Sequence, residues 1–102
     1  MSPSAVEEII SGLSGDERIV MTELERIAKS DKSNVFFIEE LKRRKRCAGI
    51  DLDATLDSLT EKGLIHPAGS EKWATTKEGR WVEHYLWIQR FHERNPGVTL
   101  KK

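Results

Sequence analysis

The chain has 102 residues, 33% of them charged and 37% apolar, with a formal net charge of zero. That length fits one domain with one core, and the charge balance means that any affinity for nucleic acid has to come from how charge is arranged. The longest apolar run, Val35-Phe36-Phe37-Ile38, is far short of a membrane span; residues 1–15 carry Glu7, Glu8 and no basic side chain, unlike a signal peptide; a lone Cys47 offers no internal disulfide and suits a reducing cytoplasm.

Ser2-Pro3-Ser4 reads as a helix start, and Val6, Ile9, Ile10 and Leu13 then recur at helical spacing to about residue 12. Gly12 and Gly15 close this segment, and Asp16 is placed to cap a second helix that runs to about Lys29, with Val20, Met21, Leu24, Ile27 and Ala28 on one face. After the polar turn Ser30–Asn34, Val35-Phe36-Phe37 reads as a short strand, and a third helix is expected from about Ile38 to Arg46. Cys47–Ile50 reads as a tight turn. Asp51 is a candidate cap for a fourth helix ending at Lys62 and Gly63, with Leu52, Thr55, Leu56 and Leu59 lining its inner face. Residues 64–66 and 71–75 form a hairpin about the turn Pro67–Ser70, and Thr76 caps a last helix over about 77–94, stopped by Asn95-Pro96-Gly97. Residues 95–102 read as a loose basic tail.

Helix, helix, strand, helix, turn, helix, hairpin and long helix is the order of a winged helix-turn-helix. Two stretches carry a closer resemblance. Leu56-Asp57-Ser58-Leu59-Thr60-Glu61-Lys62-Gly63-Leu64-Ile65 resembles the Leu-x-x-Leu-x-x-x-Gly-Leu-Ile end of the recognition helix in prokaryotic winged-helix regulators. Trp73-Ala74-Thr75-Thr76-Lys77-Glu78-Gly79 resembles the aromatic-x-Leu-Thr-x-x-Gly that closes the wing in MarR- and PadR-like families, with Thr75 in place of the usual Leu. The resemblance covers about residues 17–94. It implies a single mainly α domain (α+β) with about five helices and two or three short strands, a core over residues 16–94, and a small dimeric transcriptional regulator that binds double-stranded DNA.

Five consecutive bases, Lys42 to Arg46, fall at the end of the expected third helix, where Lys and Arg neutralise phosphates and displace counterions. Lys42, Arg43 and Arg46 are the candidates for phosphate contact there; Arg44 and Lys45 lie nearer the apolar side and are expected to snorkel. Lys72 and Arg80 are the candidates on and after the wing, Lys72 being as well explained by plain exposure. The outward face of the recognition helix offers Asp53, Ala54, Asp57 and Ser58, with Glu61 beside them. From Asp51 to Lys62 there are four acids and one base, the opposite of what a phosphate-lined groove attracts. Three readings stay open: the first acids act as caps and dipole partners, the acids pair with the neighbouring basic run, or this face binds protein.

Trp81, Tyr85, Ile88 and His92 share one face of the last helix, flanked by Val82 and Leu86 on one side and Trp87 and Phe91 on the other. So wide an apolar arc is covered either by the first helix or by a second copy, with Trp87 and Phe91 as interface anchors or as intramolecular core. Histidines at 66, 84 and 92 have no metal-pair spacing, and Cys47 has no partner cysteine. A thiol beside five cations can have a lowered pKa and sense oxidation, although a small residue filling a turn is the simpler expectation. No catalytic, metal, cofactor or small-molecule site is expected. Two functions remain: a DNA-binding regulator, or a winged-helix module that binds protein without touching DNA.

Overall fold

The structure is a computed structural model that describes residues 3–94. The elements run α1 (Pro3–Ser11), α2 (Gly15–Asp31), β1 (Val35–Phe37), α3 (Ile38–Lys42), a 3-10 turn (Lys45–Cys47), α4 (Leu52–Glu61), β2 (Ile65–Gly69), β3 (Lys72–Thr75) and α5 (Lys77–Arg94). Five α-helices and a three-stranded antiparallel sheet, counted among the described residues, make a mainly helical α+β fold, the class the sequence leads one to expect. Ser2 and the tail expected over 95–102 lie outside the described residues.

Short-range chemistry sets most boundaries. Asp51 caps α4, accepting from the Ala54 amide at 3.1 Å, and Thr76 caps α5, accepting from the Gly79 amide at 3.0 Å. The cap of α2, however, is Ser14 and not Asp16. Its hydroxyl accepts from the Glu17 amide at 3.1 Å while its own amide donates to the Glu17 carboxylate at 2.9 Å. A hydroxyl and a glutamate three residues apart satisfy two orphan amides reciprocally. Gly15 therefore opens α2 instead of closing α1, and Asp16 sits in the first turn, where the helix dipole favours an anion.

The third helix is shorter than expected. It ends at Lys42; Arg44 is extended at φ −83°, ψ 127°, and the chain resumes as a 3-10 turn. A continuous helix would place Cys47 about 240° around the axis from Leu41, yet both are buried. It would also stack Lys42 against Lys45 and Arg46, a like-charge arrangement that disfavours helix. Breaking the helix satisfies both demands.

In the sheet, β3 lies between β1 and β2. Phe36 opposes Trp73, and their rings stack at 6.3 Å between centroids. The hairpin is tighter than expected. β2 continues through Pro67-Ala68-Gly69 with a register irregularity, and Ser70-Glu71 make the turn. Pro67 is tolerated because β2 is an edge strand.

The two sequence motifs meet in space. Gly63, at φ +76°, ends α4 and turns the chain toward β2. Thr76 then clips the two ends of the hairpin: its amide donates to the Leu64 carbonyl at 3.0 Å and its hydroxyl to the Gly63 carbonyl at 2.7 Å. A Cβ at Gly79 would collide with that same Leu64 carbonyl, so the motif's glycine lets the first turn of α5 lie directly on the lead-in to β2.

Val20, Met21, Leu24 and Ile27 of α2 form the centre of the core with Leu56 and Leu59 of α4, Leu64, Ile65, Val82 and Leu86. Burying each such side chain stabilises by roughly 1.5–3 kcal/mol. Val6 and Ile10 bring α1 onto the same cluster. On α5 the buried face is Gly79, Val82, Glu83 and Leu86. The apolar face centred on Trp81, Tyr85, Ile88 and His92 lies mostly outside it: Trp81 and His92 are exposed, Tyr85 and Ile88 half-buried, and Tyr85 packs against the edge of the core.

Candidate nucleic-acid interface

The outward face of α4 is acidic and free of ion pairs to the basic run. Asp53, Ala54, Asp57 and Glu61 are exposed. Among the described residues the ion pairs join Arg26 to Glu23, Lys29 to Glu25, Lys42 to Glu39 and Lys62 to Glu17, so the reading in which these acids pair with residues 42–46 fails. Ser58 leaves this face. It is half-buried, and its hydroxyl donates to Glu17 Oε2 at 3.0 Å.

Glu17 is the hub that seats α4 on α2. Lys62 Nζ lies 2.6 and 2.7 Å from its two carboxylate oxygens and 3.2 Å from the Gly12 carbonyl. Burial by itself pushes the Glu17 pKa up, but bonds from Lys62, the Ser14 amide and Ser58 outweigh it and hold the carboxyl below its ordinary range. The anchoring explains how an amphipathic helix with three acids and an acidic cap keeps a fixed outward face.

The five bases proposed for phosphate contact fall on different parts of the molecule. Lys42 and Arg43 remain together at the end of α3, both exposed, with Lys42 3.3 Å from Glu39. An exposed pair of that kind is worth little and leaves the lysine available. Arg44 is half-buried as expected, whereas Lys45 is exposed and does not snorkel. Arg46, carried by the 3-10 turn, lines a cleft of about 190 Å³ with Arg18, Thr22 and Arg90. Lys72 is half-buried with its ammonium 5.8 Å from the centroid of Phe37, so it lies on the sheet and not at a free tip. Arg80 lines a groove of about 590 Å³ between the end of α2 and α5, beside Glu83, His84 and Trp87.

The dimer candidates Trp87 and Phe91 are both half-buried. Their rings lie 5.6 Å apart, His84 stacks on Trp87 at 6.5 Å, and Lys29 Nζ sits 5.0 Å above the Trp87 ring. Cys47 corrects the idea of an activated thiol. It is buried, and burial together with the charge of Glu23 raises its pKa against the opposing pull of Arg44.

Two charged residues of α5 escaped the sequence reading. Glu83 is 6% exposed, and one of its carboxylate oxygens is enclosed without a hydrogen-bond partner. Burial, reinforced by Glu25, pushes its pKa to about 7 despite a bond from the Thr75 side chain and the charge of Arg80. That bond also gives a reason for a threonine at position 75, where the motif otherwise has leucine. Arg90 is half-buried, with Nε and one terminal nitrogen enclosed and unpartnered. Gly79, Glu83, Leu86 and Arg90 follow one another at helical spacings of four, three and four, the signal that could have revealed both.

No helix among the described residues is long and apolar enough to cross a membrane. Compared with known proteins, the chain matches no family model, no curated protein and no solved structure.

Proposed function

We propose that the protein is a winged helix-turn-helix DNA-binding protein, a small transcriptional regulator that acts as a dimer, with α4 entering the major groove. The observation that carries this reading is the arrangement of α2, β1, α3, α4 and the hairpin, with strand order β1-β3-β2 and with α4 seated so that Asp53, Ala54 and Asp57 face outward. In that mode the N-terminal part of the recognition helix meets base edges while bases on flanking elements position the protein on phosphates. Lys42 and Arg43 at the end of α3 are the best placed, with Arg46 and the hairpin's Lys72 farther around. The half-covered face of α5, where Trp81 is exposed and Trp87 and Phe91 are half-buried, is the surface for the second copy.

A second reading has its own observation. The acids of α4 stand exposed and without ion pairs to the basic run, which favours a partner protein with a basic surface over a phosphate-lined groove. Binding to random duplex DNA at low and moderate salt separates the two. For a DNA-binding protein, affinity falls steeply with salt, and Lys42→Ala, Arg43→Ala and Arg46→Ala each reduce the logarithmic salt slope by about 0.9 per lost phosphate contact. No binding at low salt, or affinity indifferent to these changes, selects the protein-binding module. Sedimentation as a monomer at high micromolar concentration removes the dimer.

A further inference from the structure

The cleft between α2, the 3-10 turn and α5 gathers positive charge without matching it. Its polar lining is Arg18, Thr22, Arg46, Gln89, Arg90 and Glu93, three arginines against one glutamate, and its volume is about 190 Å³. Arg90 is central. Its Nε and one terminal nitrogen are enclosed with no acceptor, and leaving buried donors unmet costs about 1–3 kcal/mol, more for a charged group. Burial, followed by the charges of Arg26, Arg94 and Arg46, pushes the guanidinium pKa down, with Glu25 opposing.

The surrounding acids are largely engaged elsewhere. Glu25 pairs with Lys29 at 3.7 Å; Glu23 has Arg26 at 3.2 Å as its counter-charge, though its Oε2 is enclosed without a hydrogen bond; Glu93, on the cleft's rim, is exposed. Arg18 is held in place by donating to the Ile10 carbonyl at 3.0 Å, which leaves its other N–H groups for the cleft. What is missing is a compact acceptor with several oxygens. Guanidinium forks match oxyanions in two-point fashion, and Thr22 and Gln89 add neutral donors. At a water's share of ~30 Å³, the space holds about six waters, room for a tetrahedral phosphate group with part of its hydration.

We infer that this cleft binds a phosphate group, held by Arg90, Arg46 and Arg18. The inference stands whichever partner α4 meets: it shares Arg46 with the proposed DNA contact but rests on Arg90 and Arg18, which that reading does not use. The phosphate can belong to a small free compound or to a nucleic-acid backbone.

The test is a titration of ¹⁵N-labelled protein with inorganic phosphate at ionic strength held constant by chloride. The Arg90 Nε–H resonance, assigned by its loss in Arg90→Gln, shifts and saturates. Arg46→Gln weakens the apparent affinity by about tenfold, as expected for one lost charge-assisted contact. Arg46 is exposed, so that variant leaves the fold intact. Duplex DNA added to the phosphate-loaded protein then identifies the source: displacement from Arg90 assigns a backbone phosphate, and its absence a free phosphate compound. A phosphate response no larger than that to chloride, or one unchanged by Arg46→Gln, overturns the inference.

Discussion

Charge enters the interior of this protein at several places, and two of them are resolved in opposite ways. Between α2 and α4, Glu17 is met by Lys62, Ser58 and the Ser14 amide, and its pKa falls. On the buried face of α5, Glu83 and Arg90 each keep enclosed polar atoms without partners, and both pKa values move toward the neutral form. A buried charge with its bonds complete specifies how two helices dock. A buried charge without them destabilises the fold locally and is a place where a ligand or a proton has an effect. The contrast assigns a structural role to the first site and leaves the second open to chemistry.

The comparison can be broken most forcefully at Gly79, the first residue of the buried face of α5. Gly79→Ala would drive a methyl into the Leu64 carbonyl and against Thr75. The backbone on that side cannot yield, so destabilisation of about 3 kcal/mol is expected in urea unfolding; a change of only a few tenths would mean that α5 is not held so closely. Glu83→Gln should act in the other direction. The folded-state pKa of about 7 lies above the ordinary 4.5, so the folded protein holds a proton that the unfolded chain releases between those values. Glu83 therefore contributes its full stability below about pH 4.5 and loses it as pH rises through 7. The Gln variant is expected to be about 2–3 kcal/mol more stable than the parent at pH 8, with the gap closing at pH 4.5. Equal stability at pH 8 would place Glu83 with Glu17, as a satisfied charge.

At the α2–α4 seam the expected effects are smaller and of opposite sign. Lys62→Met leaves Glu17 buried without its counter-charge and should destabilise by about 2 kcal/mol at neutral pH, less than for a fully enclosed pair because Lys62 is partly exposed. The Glu17 pKa is lowered, so its contribution is present above 4.5 and lost as pH falls below that value. Unfolding curves of Lys62→Met should accordingly show a weaker acid dependence than the parent. Ser58→Ala removes one hydrogen bond to the same carboxylate and should cost about 1 kcal/mol. Should Ser58→Ala change DNA affinity while leaving stability untouched, its side chain would belong to the outward face after all.

The caps at Asp51 and Thr76, the inner faces of α2 and α4, and the strand Val35–Phe37 were legible in the chain. Each depends on residues within a few positions of one another. The two motifs were also legible, down to the glycine at 79. Their reason was not, because the collision it avoids is with Leu64, fifteen positions earlier. Reading hydrophobicity along the last helix put the apolar arc on Trp81, Tyr85, Ile88 and His92. The packed face proved to be the one carrying Glu83 and Arg90, since reading by side-chain polarity places charged residues outside by default.

By itself the amino-acid sequence determined an α+β chain of about five helices with a small hairpin, a run of five bases, and an acidic helix after it. Those features follow from local spacing, capping and turn chemistry. Only the tertiary structure decided that the basic run does not lie on one helix, that Arg46 joins Arg90 while Lys42 and Arg43 stay at the end of α3, and that Ser58 and Lys62 turn inward to Glu17. A long-range reason runs through all three, joined in the first by the local crowding of Lys42, Lys45 and Arg46. Whether a charge faces water, a partner or an enclosed cleft depends on groups tens of residues away, and no periodicity in the sequence encodes that pairing.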